Sequence, residues 1–120
     1  MTKFTSMIPV LPALNVAKTH AFYERKLGFK ELHIEKEFGI ITRDGFEIHF
    51  WLCHDRKICE ASGCRILVRD IDDLYISCKQ NGIVHPNAPL EEKPWGCWEF
   101  GIIDLDRNLI TFAEYKPRHT

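Results

Sequence analysis

The chain has 120 residues, 45% hydrophobic and 28% charged, which is the length and balance of one ordinary globular domain. Lys and Arg total 16 and Asp and Glu total 17, a net charge of −1 that argues against a nucleic-acid binder and against an acidic disordered chain. No apolar run approaches the roughly 20 residues that span a bilayer, and the polar opening Met1–Ser6 predicts no secretory signal, so a cytoplasmic protein is expected.

Met7 to Leu14 reads as a strand interrupted by Pro9 and Pro12, hence an edge, bend or hinge. Asn15 is a plausible N-cap for a helix from Val16 to about Lys26, with Gly28 as its terminating glycine. Strands are expected over Phe29–Glu35, Phe38–Arg43 and Phe46–Cys53, the last two joined at Asp44-Gly45, a strong hairpin signal. In the third strand Phe46, Ile48, Phe50 and Leu52 alternate with Glu47, His49 and Trp51, so its two faces differ. His54–Gly63 is polar and reads as a linker. Cys64–Val68 reads as a strand and Asp70–Asn81 as a helix with Ile71, Leu74, Tyr75 and Cys78 on one face, stopped by Gly82. A short strand Ile83–His85, a proline-containing loop Pro86–Gly96, and strands Cys97–Ile103 and Leu109–Tyr115 complete the pattern.

The two halves repeat one order. The fold expected is therefore α+β, with two βαβββ repeats (about 7–53 and 64–115, joined by the linker at about 54–63) forming one domain over residues 1–120. Its curved mixed sheet would carry helices outside and a concave face within. A concave face lined by alternate strand residues suits a small ligand.

The five cysteines, Cys53, Cys59, Cys64, Cys78 and Cys97, are odd in number and lack C-x-x-C spacing, which reads as free thiols in a reducing compartment. Cys53-His54 with Cys59 matches no zinc spacing, and Cys97 would be a nucleophile only with a histidine beside it.

Several stretches carry a family resemblance. They are Ile8–Leu11 with Asn15-Val16, Ala21–Glu24 with Leu27–Phe29, Val68–Tyr75, Pro94-Trp95-Gly96 with Glu99-Phe100, and Asp104–Asn108. Together the chain resembles the vicinal oxygen chelate superfamily, which includes glyoxalase I, and within it the bleomycin-resistance subgroup. That resemblance implies a non-enzymatic homodimer that exchanges its N-terminal strand about a proline hinge, here Pro9. It implies a flat aromatic antibiotic, of bleomycin type, sequestered in crevices at the dimer interface. An aromatic pair would clamp the drug, here Phe38 and Trp95; Gly96, His49, Trp51 and Trp98 complete the candidate ligand-binding set. The alternative is a divergent metal-dependent lyase, dioxygenase or thiol transferase of the same superfamily. Its four ligand stations would fall at Ile8, His49, Gly63 or Cys64, and Thr111, of which only His49 is ligand-type, so no metal, cofactor or catalytic residue is expected. His49 and Glu114 are the first suspects if a metal is held after all. The turn at Asp104–Asn108 lacks the family's glycine, which moves a positive-φ role to Arg107 or Asn108. Bleomycin-type drugs are cationic, and a net charge of −1 offers them little electrostatic steering.

Overall fold

The computed structural model describes residues 1–116. The first repeat contains β1 (Val10–Ala13), α1 (Val16–Leu27), β2 (Lys30–Ile34), β3 (Phe38–Arg43) and β4 (Phe46–Leu52). A short α2 (Arg56–Glu60) leads to the second repeat: β5 (Gly63–Leu67), α3 (Ile71–Gln80), β6 (Glu91–Lys93), β7 (Cys97–Ile103) and β8 (Leu109–Tyr115). Among the described residues no helix is long and apolar enough to cross a membrane.

The strands form two four-stranded mixed sheets of equivalent order, β1-β4-β3-β2 and β5-β8-β7-β6, instead of the single sheet expected. In each repeat the first strand runs parallel to the last, and this pairing closes the ladder within the repeat. The repeats meet instead through one apolar core that includes Tyr23, Ile41 and Phe50 of the first and Ile71, Phe100, Ile102 and Phe112 of the second.

Helix α1 starts where Asn15 leaves extended backbone and accepts a hydrogen bond from Lys18 N at 3.0 Å. It stops at Gly28, which takes the left-handed conformation (φ 70°). The buried stripe is Val16, Thr19, His20, Tyr23 and Leu27, so it includes the polar side chains of Thr19 and His20. The helix presses hard on β3: a Cβ at Gly39 would come within 2.2 Å of His20 Nε2 and 2.7 Å of Val16 Cγ1, so only glycine fits there.

Three segments depart from the sequence reading. The linker contains α2, capped by the Asp55 carboxylate on Lys57 N and anchored by the buried Cys59. The strand expected at Ile83–His85 shrinks to one bridge, Val84 with Ile102. The loop expected at Pro86–Gly96 contains β6, and Lys93–Gly96 is the tip of a β6–β7 hairpin.

The β7–β8 turn inserts into the first repeat. Asp104, Asp106 and Asn108 are all buried. Asp106 accepts from Leu14 N at 2.8 Å and from the Thr19 hydroxyl at 2.5 Å. Asp104 accepts from the Tyr23 hydroxyl at 2.6 Å, and the Asn108 amide donates to Pro12 O at 3.0 Å. Arg107 takes the positive φ (79°) in place of the missing glycine. The Asp104 carboxylate compensates by accepting from the backbone N–H groups of Asp106 and Asn108, both at 2.9 Å.

Burial raises the Asp104 carboxyl above its ordinary value, against the lowering effect of the Tyr23 and Asn108 hydrogen bonds. Tyr23→Phe removes one of those donors from a buried carboxylate, so a loss of about 1–3 kcal/mol in urea unfolding is expected at neutral pH. Because the folded-state pKa of Asp104 is raised, acidification favours its protonated form in the fold. The Tyr23→Phe deficit should therefore shrink as pH falls, and a deficit that grew on acidification would contradict this account.

Candidate functional site

The sheet faces turned away from the helices carry the candidate site. In the first sheet Gly39, Ile41, Ile48 and Phe50 are buried against α1, and strand alternation turns Phe38, Ile40, His49 and Trp51 to the opposite, open face. There Phe38 lies directly across from Trp51, and its ring meets His49 edge-on with centroids 5.4 Å apart. His33 approaches Phe38 from β2 at 6.5 Å. His49 is fixed by Glu47, whose Oε1 lies 2.8 Å from Nε2. Phe38, His49 and Trp51 are thus brought together, and His33 joins them. The bulge between Glu31 and His33 turns His33 toward this face, a shift of register that alternation alone does not reveal.

In the second sheet the open face carries Arg65, Glu99, Thr111 and Tyr115, by the same alternation. Trp95 and Gly96 occupy the β6–β7 turn. Gly96 supplies the positive φ (81°) that the turn requires, and Trp95 stands 59% exposed. The Trp95 indole N–H donates to Glu99 Oε2 at 2.7 Å. Trp98 is turned the other way. It shares the helix-side face with Phe100 and Ile102, packs partly buried on the core, and carries the Lys116 ammonium 5.8 Å from its ring centroid. Its expected place beside the ligand is corrected: in β7 it has the parity of the core residues, opposite to Cys97 and Glu99. Arg65 and Glu99 were missed by the sequence reading; the one signal was an acid between Trp98 and Phe100 in an otherwise apolar strand.

The stations at which the superfamily's enzymes would hold a metal do not fit one. The residue beside His49 on β1 is Val10, not Ile8, and the residue beside Thr111 on β5 is Arg65, not Gly63 or Cys64. A valine, a threonine and a guanidinium cation beside one imidazole cannot coordinate a divalent ion. Glu114 is engaged on the helix side, where its two carboxylate oxygens accept from the backbone N–H groups of Asp70 and Ile71 and cap α3. Among the described residues no group of three or more His, Cys, Asp or Glu side chains could hold a metal.

The five cysteines are free thiols, four of them buried. Burial pushes the Cys59, Cys64 and Cys78 thiols up to about 11 and also raises Cys97, beside which lies the Arg65 guanidinium at 3.6 Å. None of these four has the lowered pKa of a nucleophilic thiolate.

No known protein-family profile matches the chain. It is 35% identical to a bleomycin resistance protein from Geobacillus stearothermophilus, across 89% of this chain and 94% of that one. A bleomycin resistance protein from Staphylococcus aureus gives the same identity and coverage. Among solved structures, the bleomycin-binding protein of bleomycin-producing Streptomyces verticillus, complexed with copper(II)-bleomycin, superposes with a TM-score of 0.85 at 24% identity, covering 97% of this chain and 100% of that one. The bleomycin resistance determinant encoded on transposon Tn5 gives 0.82 at 24% identity, covering 95% and 100%.

After incubation with zinc or manganese and desalting, elemental analysis should find well under one metal per chain. Stoichiometric metal that His49→Ala removes would contradict the fit argument.

Proposed function

Because the chain belongs to the bleomycin resistance protein family, we propose that it sequesters a flat heteroaromatic antibiotic of bleomycin type, making and breaking no bond. The observation that carries this reading is the aromatic group on the open face of the first sheet, where Phe38 stands against His49 and opposite Trp51. A ring held edge-on by its neighbour offers a flat ligand area at small entropy cost, and stacking adds about 0.5–1.5 kcal/mol per pair beyond burial. Trp95, exposed on its turn, is the second wall of the clamp.

The binding unit is a homodimer with two crevices at the subunit interface. Residues 1–9 support this. They lie outside every strand and helix, and Phe4, Met7 and Ile8 are 88%, 93% and 38% exposed. An arm carrying such apolar side chains off the body gains by burial on a second copy, with Pro9 as the stiff hinge. The open faces add Val10, Trp51, Leu67 and Tyr115, all exposed in the single chain. Five free thiols suit a cytoplasmic location.

Bleomycin titration should quench tryptophan fluorescence to a saturable limit, and Trp95→Ala and Phe38→Ala should each weaken affinity about tenfold or more, equal to 1.4 kcal/mol. Unchanged fluorescence and no binding heat at saturating drug would remove bleomycin as the ligand. Sedimentation should give a dimer, and deletion of residues 1–8 should shift it toward monomer and weaken drug binding together.

A further inference from the structure

A tryptophan on an exposed turn ordinarily samples several rotamers, yet Trp95 is tied down. Its indole N–H and the Arg65 guanidinium donate to the same oxygen, Glu99 Oε2, at 2.7 and 2.6 Å. Arg65 stands on β5 and Glu99 on β7, with β8 between them. The arginine therefore crosses the open face of the sheet, over a strand that presents Thr111 and Ala113 there. Glu99 is only 6% exposed. Burying a carboxylate is costly, and an apolar residue of similar size would serve packing as well or better. The acid is explained if the indole needs a fixed, strong acceptor. Arg65 lowers the Glu99 pKa most; burial opposes it and Trp95 lowers it further, so the acceptor stays ionised at neutral pH.

We propose that Glu99 is the positioning residue of the ligand clamp: it holds the Trp95 ring in its stacking orientation before a ligand arrives, with Arg65 as the brace that holds Glu99. This rests on the reading of Trp95 as a wall of the drug crevice. The gain is preorganisation, because a ring already ordered loses less rotamer freedom on binding. The interaction is charge-assisted at both donors, which makes it stronger and more directional than a neutral pair. Glu99→Gln keeps an acceptor for the indole and loses the charge that Arg65 needs, whereas Glu99→Ala removes both.

The test uses the full chain with nitrogen-15-labelled tryptophan, the Trp95 indole signal being assigned by its loss in Trp95→Phe. In the free protein, Glu99→Ala should move the Trp95 indole proton upfield and speed its exchange with water, while the Trp51 and Trp98 signals stay in place. Bleomycin affinity by calorimetry should fall about three- to tenfold, and Glu99→Gln should recover most of that loss. In the unmodified chain the Trp95 signal should change with acid only below the ordinary carboxylate range, about pH 4, and Arg65→Met should move that transition to higher pH. An Arg65→Met chain with an unmoved transition overturns the proposal even if Glu99→Ala fails to fold. An unshifted Trp95 signal in Glu99→Ala overturns it as well, as does unchanged drug affinity in Glu99→Ala where Trp95→Ala abolishes binding. If Trp95→Ala leaves bleomycin affinity intact, the drug-clamp reading falls and the ligand role of Glu99 falls with it. The indole signal then still reports whether Glu99 holds the ring.

Discussion

Two carboxylates and one amide from the β7–β8 turn are buried where the second repeat meets the first. Across the junction they meet Leu14 N, the Thr19 and Tyr23 hydroxyls and Pro12 O, all of the first repeat. Among the described residues no strand ladder joins the two sheets, so this junction and the shared apolar core help set one repeat relative to the other. Apolar contacts alone tolerate sliding and repacking; a buried carboxylate with two donors does not, because each misplaced partner is left unsatisfied at about 1–3 kcal/mol. The open sheet faces, and every ring on them, inherit their relation from that turn.

The division of labour between the faces follows from strand alternation. One face of each sheet goes to the helices and is dry; the other is left with rings and charges. Several carboxylates there have partners: Glu47 with the His49 imidazole, Glu99 with Arg65, and Glu91 with Lys93 on β6.

Much of the fold was legible in the sequence because its signals are local. Asp44-Gly45 marks the β3–β4 hairpin, Asn15 and Gly28 bracket α1, and the alternation from Phe46 to Leu52 assigns His49 and Trp51 to one face. Segments decided by tertiary contact were not legible. Helix α2 has five residues and is held by a cap and one buried cysteine; β6 has three residues and exists only as the partner of β7. Trp98 was misplaced because tryptophans clustered near a turn look alike in sequence, although the parity of β7, with Phe100 and Ile102 in the core, turns Trp98 inward. Arg65 and Glu99 are 34 residues apart, and no spacing rule links an arginine and a glutamate across an intervening strand.

The β7–β8 turn also bears on how the chain is made. Its hydrogen bonds join positions 81 to 96 residues apart. During synthesis from the N-terminus at about 5–20 residues per second, α1 emerges many seconds before its acceptors exist. Until Asp104 and Asp106 are made, the Tyr23 hydroxyl lacks its carboxylate, and the Thr19 hydroxyl keeps only its local bond to Asn15 O at 3.0 Å. The first repeat therefore lacks part of its native polar packing until the second is made. The buried polar contacts between the repeats are complete only once the turn at Asp104–Asn108 has been synthesised.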